Sequence, residues 1–517
     1  SNLNWPKMVV VPSFVMLSTL IAVVSMVVFY GDYVGAELVE EDVQFQELQQ
    51  DLKTGARSSA NMGVWEYAVY GVGTVSAIPL GYLTLKIPSR EGKQWANLIF
   101  GLTLGVLAAG FNIIHAFVMF GVVFLLVRFA PQSISPHGIS FVFSMGYLMF
   151  FRLCHLYFPH WPQKSGPNGA MMMIVTYRAI SVAFDVRATP LKIGRGEDYE
   201  DVIAIPTALE FFSYTFSFNG LIVSPVITFR DYHNYLKLNP TSLNDAALRT
   251  IVSRGKTGIA SIIIFVLLKM YVPKPPLNEL LQGWTSIESA LTLTWQLALG
   301  CYQLRFQYYA VWAIAEQGVM WAGVGLTADG YNQDEITNIE PVEIELFSWS
   351  HEVESRFSIT HIVRNWNMSI QRWLVRYVFR RFPIRAVRTS VVFVVSAYMH
   401  GISIGFYFFF VQLAIFDLTN KRWQNMNWTP PLKSISLFRW FYAFLNYNLV
   451  FRCTEYFVFS FHMPSAELND IFNIYSTLGF WGHAFMGVML AITFILPQKE
   501  APLKKVYSEG QFIALPP

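Results

Sequence analysis

The chain has 517 residues, of which 54% are hydrophobic, 16% aromatic and only 14% charged. A soluble globular domain has about a quarter of its residues charged, so this composition excludes an ordinary soluble protein and predicts one that crosses a membrane several times. The net charge of +3 is nearly balanced and points to no nucleic-acid partner. Cys154, Cys301 and Cys453 lie far apart, so they indicate neither a disulfide framework nor a metal site.

The N-terminal part of the chain contains one apolar run and one acidic stretch. Residues 8–30 carry no charged side chain, and at about 1.5 Å per residue they can span a bilayer of roughly 30 Å. We predict a first transmembrane helix here that the mature protein keeps. Residues 31–61 are rich in Asp, Glu and Gln and too polar to enter lipid, so they predict a solvated loop.

Ten further apolar runs follow between residues 62 and 496. Several exceed the roughly 20 residues that one crossing needs, so we expect some to be broken or paired, with about ten or eleven membrane helices in all. The runs are Met62 to Ile87, Ala96 to Phe129, Ile139 to Phe158, Ala170 to Val186, Ala208 to Thr228, Thr257 to Val272, Thr285 to Leu326, Ala386 to Phe416, Leu437 to Phe461 and Ile471 to Leu496.

The order of these runs predicts one all-helical membrane domain over residues 1–517. In it, residues 62–336 form a transmembrane bundle, 337–385 a polar and basic cytoplasmic segment, 386–496 a second membrane bundle and 497–517 a cytoplasmic tail. Polar, glycine-bearing runs such as GPNGAMMMIVTYRAISVAFDV predict buried or re-entrant helices, because lipid-facing backbone does not tolerate them. They indicate an interior cavity.

A basic, aromatic segment leads into an apolar one between Arg364 and Tyr407. Arginines recur there every four residues, at 372, 376 and 380, and so share one face of a helix. Guanidinium groups grip phosphate, so this face suits a phosphate-bearing donor such as coenzyme A, although an interfacial helix on anionic lipid heads has the same pattern. The candidate donor contacts are Trp366, Trp373, Arg376, Tyr377 and Arg380.

Two polar side chains in this region are candidates for catalysis. The amide of Asn367 can stabilise an oxyanion or orient a hydroxyl, although a lone asparagine is more often a cap or loop residue. His400 lies in an apolar run, where an ionisable group is costly unless it is functional or well partnered, and a neutral imidazole can act as a base. The residues alone do not choose His400, because three other histidines have equally apolar neighbours: His115, His155 and His483.

A further motif overlaps the second candidate. Residues 401–405 read Gly-Ile-Ser-Ile-Gly, which matches the nucleophile elbow of α/β hydrolases and would make Ser403 a nucleophile. That elbow needs a strand, a sharp turn and a helix in a chain of alternating strands and helices. Nothing in the sequence predicts a parallel sheet, so we do not expect Ser403 to be a nucleophile.

Two segments, RNWNMSIQRWLVRYVFRR and SAYMHGISIGFY, resemble the signature of the membrane-bound O-acyltransferase family. The upstream segments IPTALEFFSYTFSFNGLIVSPVITFRDYHNYL and LRFQYYAVWAIAEQGVMWAGVG are also similar to family segments, so the resemblance covers roughly Ala170 to Tyr407. In that family an Asn in a WN context and a downstream His form the active site, which implies Asn367 and His400 here. The resemblance is greatest to the lysophospholipid branch, from which Met399 departs, since Trp usually precedes the histidine there.

The resemblance implies a helical fold around an internal tunnel and acyl transfer from acyl-CoA to the free hydroxyl of a lysophospholipid, most often at the sn-2 position. Lysophosphatidylinositol is the implied acceptor, and the endoplasmic reticulum membrane the implied location. His400 would be the base for direct attack by the hydroxyl, with Asn367 supporting the oxyanion and no cofactor or metal bound permanently. Membrane lipids are the other expected partners, and the oligomeric state stays open.

Two other functions stay open at this point. Another branch of the same family acylates other acceptors, including secreted proteins, and different lysophospholipid head groups are equally compatible with the motifs. A transporter with an intramembrane histidine in a proton relay is a different class. The sequence has no visible inverted repeat and no paired intramembrane carboxylates, which disfavours the transporter.

Overall fold

The computed structural model describes residues 64–157, 166–188, 202–223, 225–272, 287–328, 341–344, 352–355 and 358–426, and shorter stretches at 452–458, 460, 471–472, 475–476 and 479–495. The predicted first transmembrane helix, the acidic loop and the C-terminal tail lie outside these residues, as does most of the apolar run from 437 to 461.

The described residues are almost entirely helical, as the composition predicts. Short 3₁₀ turns lie at Gly110–Asn112, Gln132–Ile134 and Arg385–Val387, and a π-helical turn at Val375–Phe379. The helices are α1 (Val64–Leu85), α2 (Arg90–Ala109), α3 (Ile113–Phe129), α4 (Pro136–Tyr157), α5 (Gly166–Arg187), α6 (Ala208–Thr215), α7 (Phe229–Leu238), α8 (Asp245–Tyr271), α9 (Ile287–Trp321), α10 (Glu352–Ser355), α11 (Ile359–Trp366), α12 (Met368–Leu374), α13 (Arg388–His400), α14 (Ile404–Gln424) and α15 (Trp481–Ile495).

Four of the described helical segments are long and apolar enough to cross a membrane: Arg90–Phe129, Pro136–Cys154, Gly169–Arg187 and Asp245–Tyr271. The protein is therefore a helical, multi-pass membrane protein. The total of ten or eleven crossings stays a prediction, because parts of the apolar runs lie outside the described residues.

Two long apolar runs are each interrupted by a turn, one at a glycine and one before a helix-capping serine. The run from 96 to 129 is split by the 3₁₀ turn after α2, where Gly110 has a φ of 53°. Glycine adopts this conformation without a Cβ penalty. The run from 386 to 416 is split at residues 401–403, between α13 and α14. The expectation of broken spans is thus confirmed for both runs.

Helix α5, which contains the polar run read as a buried helix, is the most enclosed of the four apolar segments. In its most apolar 18-residue stretch 83% of the residues are buried, against 28% to 44% in the other three. The buried-helix prediction is confirmed, and the interior cavity stays a prediction.

The described part of the chain also contains a small strand pair that the sequence did not predict. Strands β1 (Leu326–Ala328) and β2 (Pro341–Ile344) pair antiparallel, with Leu326 opposite Ile344. The ribbon contacts α8 through β2. It is an addition to a helical fold rather than a sheet layer.

The structure divides into two compact units. The first is built from described residues within Ser1–Thr189, Val202–Tyr271 and Gln303–Ser348. Its core joins α1, α8 and the C-terminal part of α9 through apolar side chains such as Ile78, Ile251 and Trp321.

Two close contacts fix helices in the first unit. A Cβ placed on Gly81 of α1 would lie 2.3 Å from the backbone oxygen of Gly318 in α9, so only glycine allows this crossing. Arg254 of α8 bonds Glu316 of α9 through Nε at 2.5 Å, and both side chains are buried. A buried charge is tolerated when it is paired, and this pair joins α8 to α9 inside an apolar core.

Arg178 of α5 organises the segment that follows α6. Its guanidinium is fully buried and donates to the backbone carbonyls of Tyr214 (3.3 Å), Thr215 (3.1 Å), Ser217 (2.7 Å) and Asn219. These carbonyls lie at and just beyond the C-terminal end of α6, where backbone oxygens lack intrahelical partners and carry partial negative charge. One buried cation thereby binds four backbone carbonyls of this segment.

The second unit is built from described residues within Val272–Tyr302 and Trp349–Pro517. Helix α14 is its centre, since α11, α13 and α15 all pack against it. Both catalytic candidates lie in this unit.

Candidate active site

Asn367 joins α11 to α12. Its φ of −142° and ψ of 86° end the first helix, and its Oδ1 accepts from Ile370 N at 3.3 Å and Ser369 Oγ at 3.2 Å. The side-chain oxygen is therefore used as a helix N-cap. Among the described residues nothing accepts from Nδ2, so the amide hydrogens of this half-buried side chain are the part that can meet a substrate oxygen.

The helix does not continue as a regular α-helix beyond α12. Arg380 N bonds to Val375 O at 3.0 Å, a five-residue step that defines the π-helical turn. The predicted arginine stripe thus lies on an α-helical turn followed by a wider π turn. Such turns are rare and often lie at functional sites.

The five candidate contacts for the acyl donor divide into buried and half-buried side chains. Trp373 and Tyr377 are 0% and 2% exposed, and their ring centroids lie 5.4 Å apart. The guanidinium carbon of Arg376 lies 5.5 Å from the Tyr377 ring centroid, which is a cation–π distance. Trp373 and Tyr377 are therefore core residues that support Arg376, while Arg376, Arg380 and Trp366 are half-buried.

His400 is the last residue of α13, and its side chain is exposed. Its ring lies against two phenylalanines of α14, with centroids 5.5 Å from Phe410 at an interplanar angle of 26° and 6.0 Å from Phe406. The preceding Met399 points into the core and is fully buried. The backbone thus directs Met399 inward while the imidazole of His400 rests on an aromatic wall.

The Gly-Ile-Ser-Ile-Gly motif forms the turn between α13 and α14. Ser403 is the N-cap of α14, and its Oγ accepts from Gly405 N at 3.4 Å. A helix precedes the serine where a nucleophile elbow needs a strand, so the geometry agrees with the expectation that Ser403 is not a nucleophile.

The competing histidines are held in other ways. His115 Nδ1 lies 2.9 Å from the Tyr147 hydroxyl, in the first unit. Both ring nitrogens of His483 are engaged, Nε2 with the Gln412 side chain at 3.0 Å and Nδ1 with the Tyr456 hydroxyl at 2.8 Å. The side chain of His155 lies outside the described residues. His483 is therefore a packed network residue, unlike the exposed His400.

Asp417 is a buried acid on α14 that the sequence reasoning missed. Its Oδ1 accepts from Thr360 Oγ1 of α11 at 2.6 Å, and its Oδ2 pairs with Lys421 one turn further along α14. Burial lowers the pKa of the neighbouring Arg364, and the charge of Asp417 partly offsets that effect. A single acid in an otherwise apolar helical stretch was the available signal.

The second unit thus holds a potential base and a potential amide donor. Helix α13, which ends at His400, packs against the π-helical turn that continues the Asn367 helix. Within the described ranges no three His, Cys, Asp or Glu side chains gather closely enough to bind a metal ion. The chemistry that these residues themselves offer is proton transfer and hydrogen-bond donation.

Comparison with known proteins identifies the family. The sequence model of MBOAT, the membrane-bound O-acyltransferase family, matches residues 111–461, which include both catalytic candidates. A Drosophila melanogaster protein named lysophospholipid acyltransferase 6 is 24% identical over 380 residues, covering 70% of this chain and 51% of the relative. The chain therefore spans about half the length of that relative.

Two mammalian relatives are covered more fully. The membrane-bound acylglycerophosphatidylinositol O-acyltransferase of Bos taurus is 22% identical over 461 residues, covering 82% of this chain and 91% of the relative. The membrane-bound glycerophospholipid O-acyltransferase 1 of Mus musculus is 24% identical over 441 residues, covering 80% of this chain and 84% of the relative.

Proposed function

Because the chain belongs to the membrane-bound O-acyltransferase family and is an acyltransferase, we propose that it transfers a fatty acyl chain from acyl-CoA to the free hydroxyl of a lysophospholipid. The observation that carries this proposal is that relatives covered over most of their length are named for glycerophospholipid acceptors. Lysophosphatidylinositol, acylated at the sn-2 position, is the acceptor we favour, and the endoplasmic reticulum membrane is the proposed location.

His400 is the proposed general base. It takes the proton of the acceptor hydroxyl as that oxygen attacks the thioester carbon, so that a C–O bond forms and the C–S bond breaks. The proton then passes to the departing coenzyme A thiolate, which leaves the imidazole neutral again. The exposed position of His400 on the Phe406 and Phe410 rings supports this role, because a base must reach its substrate.

Asn367 is the proposed hydrogen-bond donor to the thioester oxygen. Its Oδ1 is fixed by the helix cap, which orients the amide so that Nδ2 can donate to the oxygen on which negative charge develops. A donor whose position is set before the reaction costs no reorganisation in the transition state. One side chain can thus cap the helix through Oδ1 and donate to the substrate through Nδ2.

The basic face of the same segment is the proposed entrance for coenzyme A. Arg376 and Arg380 are half-buried and can reach phosphate, with Trp366 beside Asn367. Tyr377 contacts Arg376, and Trp373 contacts Tyr377, so these two buried rings contribute by supporting Arg376. The acyl donor is a co-substrate, and no permanently bound cofactor enters the proposal.

The experiment is acyl-CoA consumption by purified protein against lysophospholipids that differ in head group, alongside His400→Ala and Asn367→Ala. We expect turnover with lysophosphatidylinositol and losses of about a hundredfold or more in both variants. Asn365→Ala is the matched control, because its amide donates to the His361 carbonyl at 2.9 Å inside α11. We expect that control to stay active.

The acceptor panel also tests the alternatives. Turnover with another head group keeps the acyltransferase mechanism and replaces the favoured acceptor. Turnover only with a peptide bearing a free serine or N-terminus moves the protein to the protein-acylating branch. Absence of turnover on every lysophospholipid, or full activity of folded His400→Ala, contradicts the proposal.

A further inference from the structure

Asp417 holds together the two helices on which the catalytic candidates depend. Thr360 lies in the first turn of α11, which ends at Asn367, and its hydroxyl donates to Asp417 Oδ1 at 2.6 Å. Asp417 lies on α14, whose Phe410 stacks on His400. Thr360 and Asp417 are 57 residues apart in sequence. Their hydrogen bond therefore links the helix that ends at Asn367 to the helix that supports His400.

The spacing along both helices places this bond close to the site. Residues seven apart on an α-helix lie on the same face and about 10 Å apart. Asp417 follows Phe410 by seven residues, and Asn367 follows Thr360 by seven. The face of α14 that carries the Phe410 ring therefore also carries the carboxylate that binds α11.

Each oxygen of the Asp417 carboxylate has its own partner. Asp417 is 5% exposed, and a buried acid requires a donor for each oxygen. Oδ1 receives the Thr360 hydroxyl from α11, and Oδ2 pairs with Lys421 of its own helix. Lys421 lies on the same helix as Asp417, whereas Thr360 lies on α11, so the Thr360 bond is a hydrogen bond of this carboxylate that joins α11 to α14.

We propose that Asp417, through Thr360, is a positioning residue that holds Asn367 in register with His400 for acyl transfer. The inference rests on the proposed function for its catalytic readout. Catalysis by a base and an amide donor depends on their mutual geometry, and a misplacement of about 1 Å can lower the rate by about a hundredfold. Neither Asp417 nor Thr360 needs to touch the substrate for this effect.

The test compares variants that remove different donors from the same carboxylate. Thr360→Val removes the hydroxyl at constant size, Thr360→Ser restores it, and Lys421→Met removes the donor on the other oxygen. We expect Thr360→Val to lower kcat by about tenfold to a hundredfold with KM for acyl-CoA and acceptor unchanged. Thr360→Ser should restore kcat, and Lys421→Met should keep kcat even where it lowers the unfolding temperature.

A second readout does not depend on the acceptor. Hydrogen–deuterium exchange of residues 359–374 in the full chain should rise in Thr360→Val and stay at the wild-type rate in Thr360→Ser, including at the Ile370 amide that Asn367 caps. If the wild-type protein acylates no lysophospholipid, the proposed function fails, and exchange alone then decides the helix positioning.

Two results overturn the inference. One is a Thr360→Val protein with wild-type kcat, or with wild-type exchange over residues 359–374. The other is a Lys421→Met protein that loses as much kcat as Thr360→Val, because Asp417 would then act on stability alone.

Discussion

The imidazole of His400 stacks on the ring of Phe410, with centroids 5.5 Å apart and planes 26° from parallel. The two residues lie on consecutive helices, α13 and α14, separated by the short turn at residues 401–403. Contact with an aromatic face restricts the rotation of the imidazole. The side chain of the proposed base is thus supported by packing from the neighbouring helix.

Replacing Phe410 should therefore weaken catalysis. An aromatic pair contributes about 0.5–1.5 kcal/mol beyond its buried area, so Phe410→Leu should lower kcat by about threefold to tenfold. The measurement is steady-state acyl transfer by protein that elutes as a single folded species. Phe408→Leu is the matched control, since Phe408 lies on the same helix and stacks on Tyr475 instead. Equal losses in both variants would assign the effect to helix stability.

Ser403 should be dispensable for the reaction. Ser403→Ala removes the N-cap of α14, and loss of such a cap costs about 0.5–2 kcal/mol of stability. We expect a lower unfolding temperature with most of the wild-type turnover retained. Labelling by an acyl-CoA analogue at this serine, or loss of turnover as complete as in His400→Ala, would restore the nucleophile hypothesis.

Neutralising the two half-buried arginines should weaken donor binding. The double variant Arg376→Gln, Arg380→Gln removes two phosphate-binding groups, so KM for acyl-CoA should rise by about tenfold or more while the acceptor KM changes little. Arg385→Gln removes one charge from the exposed turn before α13 and serves as the control for overall charge. An unchanged acyl-CoA KM in the double variant would place the donor elsewhere.

Gly101 should not tolerate any side chain. A Cβ at this position would lie 1.4 Å from the Phe216 carbonyl oxygen, whereas a Cβ on Gly121 of α3 meets nothing within 4 Å. Gly101→Ala should destabilise the protein by about 3 kcal/mol or more, because the obstacle is backbone. Gly121→Ala should be neutral or slightly stabilising, since alanine favours helix. The comparison of unfolding temperatures in detergent checks both expectations.

The helical class followed from composition, and the broken runs followed from their length. At residues 110 and 401–403 the chain turns where the sequence offers glycine or a capping serine. Asn367 and His400 were different, because the local physics left four histidines equivalent and only the family resemblance selected one. The polar partners of His115 and His483 are 27 to 71 residues away in sequence, so no local pattern could indicate them.

Other features could not be read from local pattern. The spacing of Arg372, Arg376 and Arg380 indicated a shared helix face, but it could not indicate that Trp373 and Tyr377 beside them are covered by the core. The paired strands are three and four residues long, too short for an alternating pattern to be recognised. The bond from Thr360 to Asp417 depends on how two distant helices pack.

Arg178 has a consequence for how the protein is made. The carbonyls that surround its guanidinium belong to residues 36 to 41 positions later in the chain, and the Asp185 carboxylate of the same helix accepts from the Arg230 amide, 45 positions later. An arginine at the centre of a lone inserting helix costs about 2.5–3.5 kcal/mol. During synthesis α5 therefore reaches the translocon before its partners exist, and its stable release into lipid has to wait for the chain as far as residue 230. Biogenesis of this region is expected to be cooperative, with several helices leaving the translocon together.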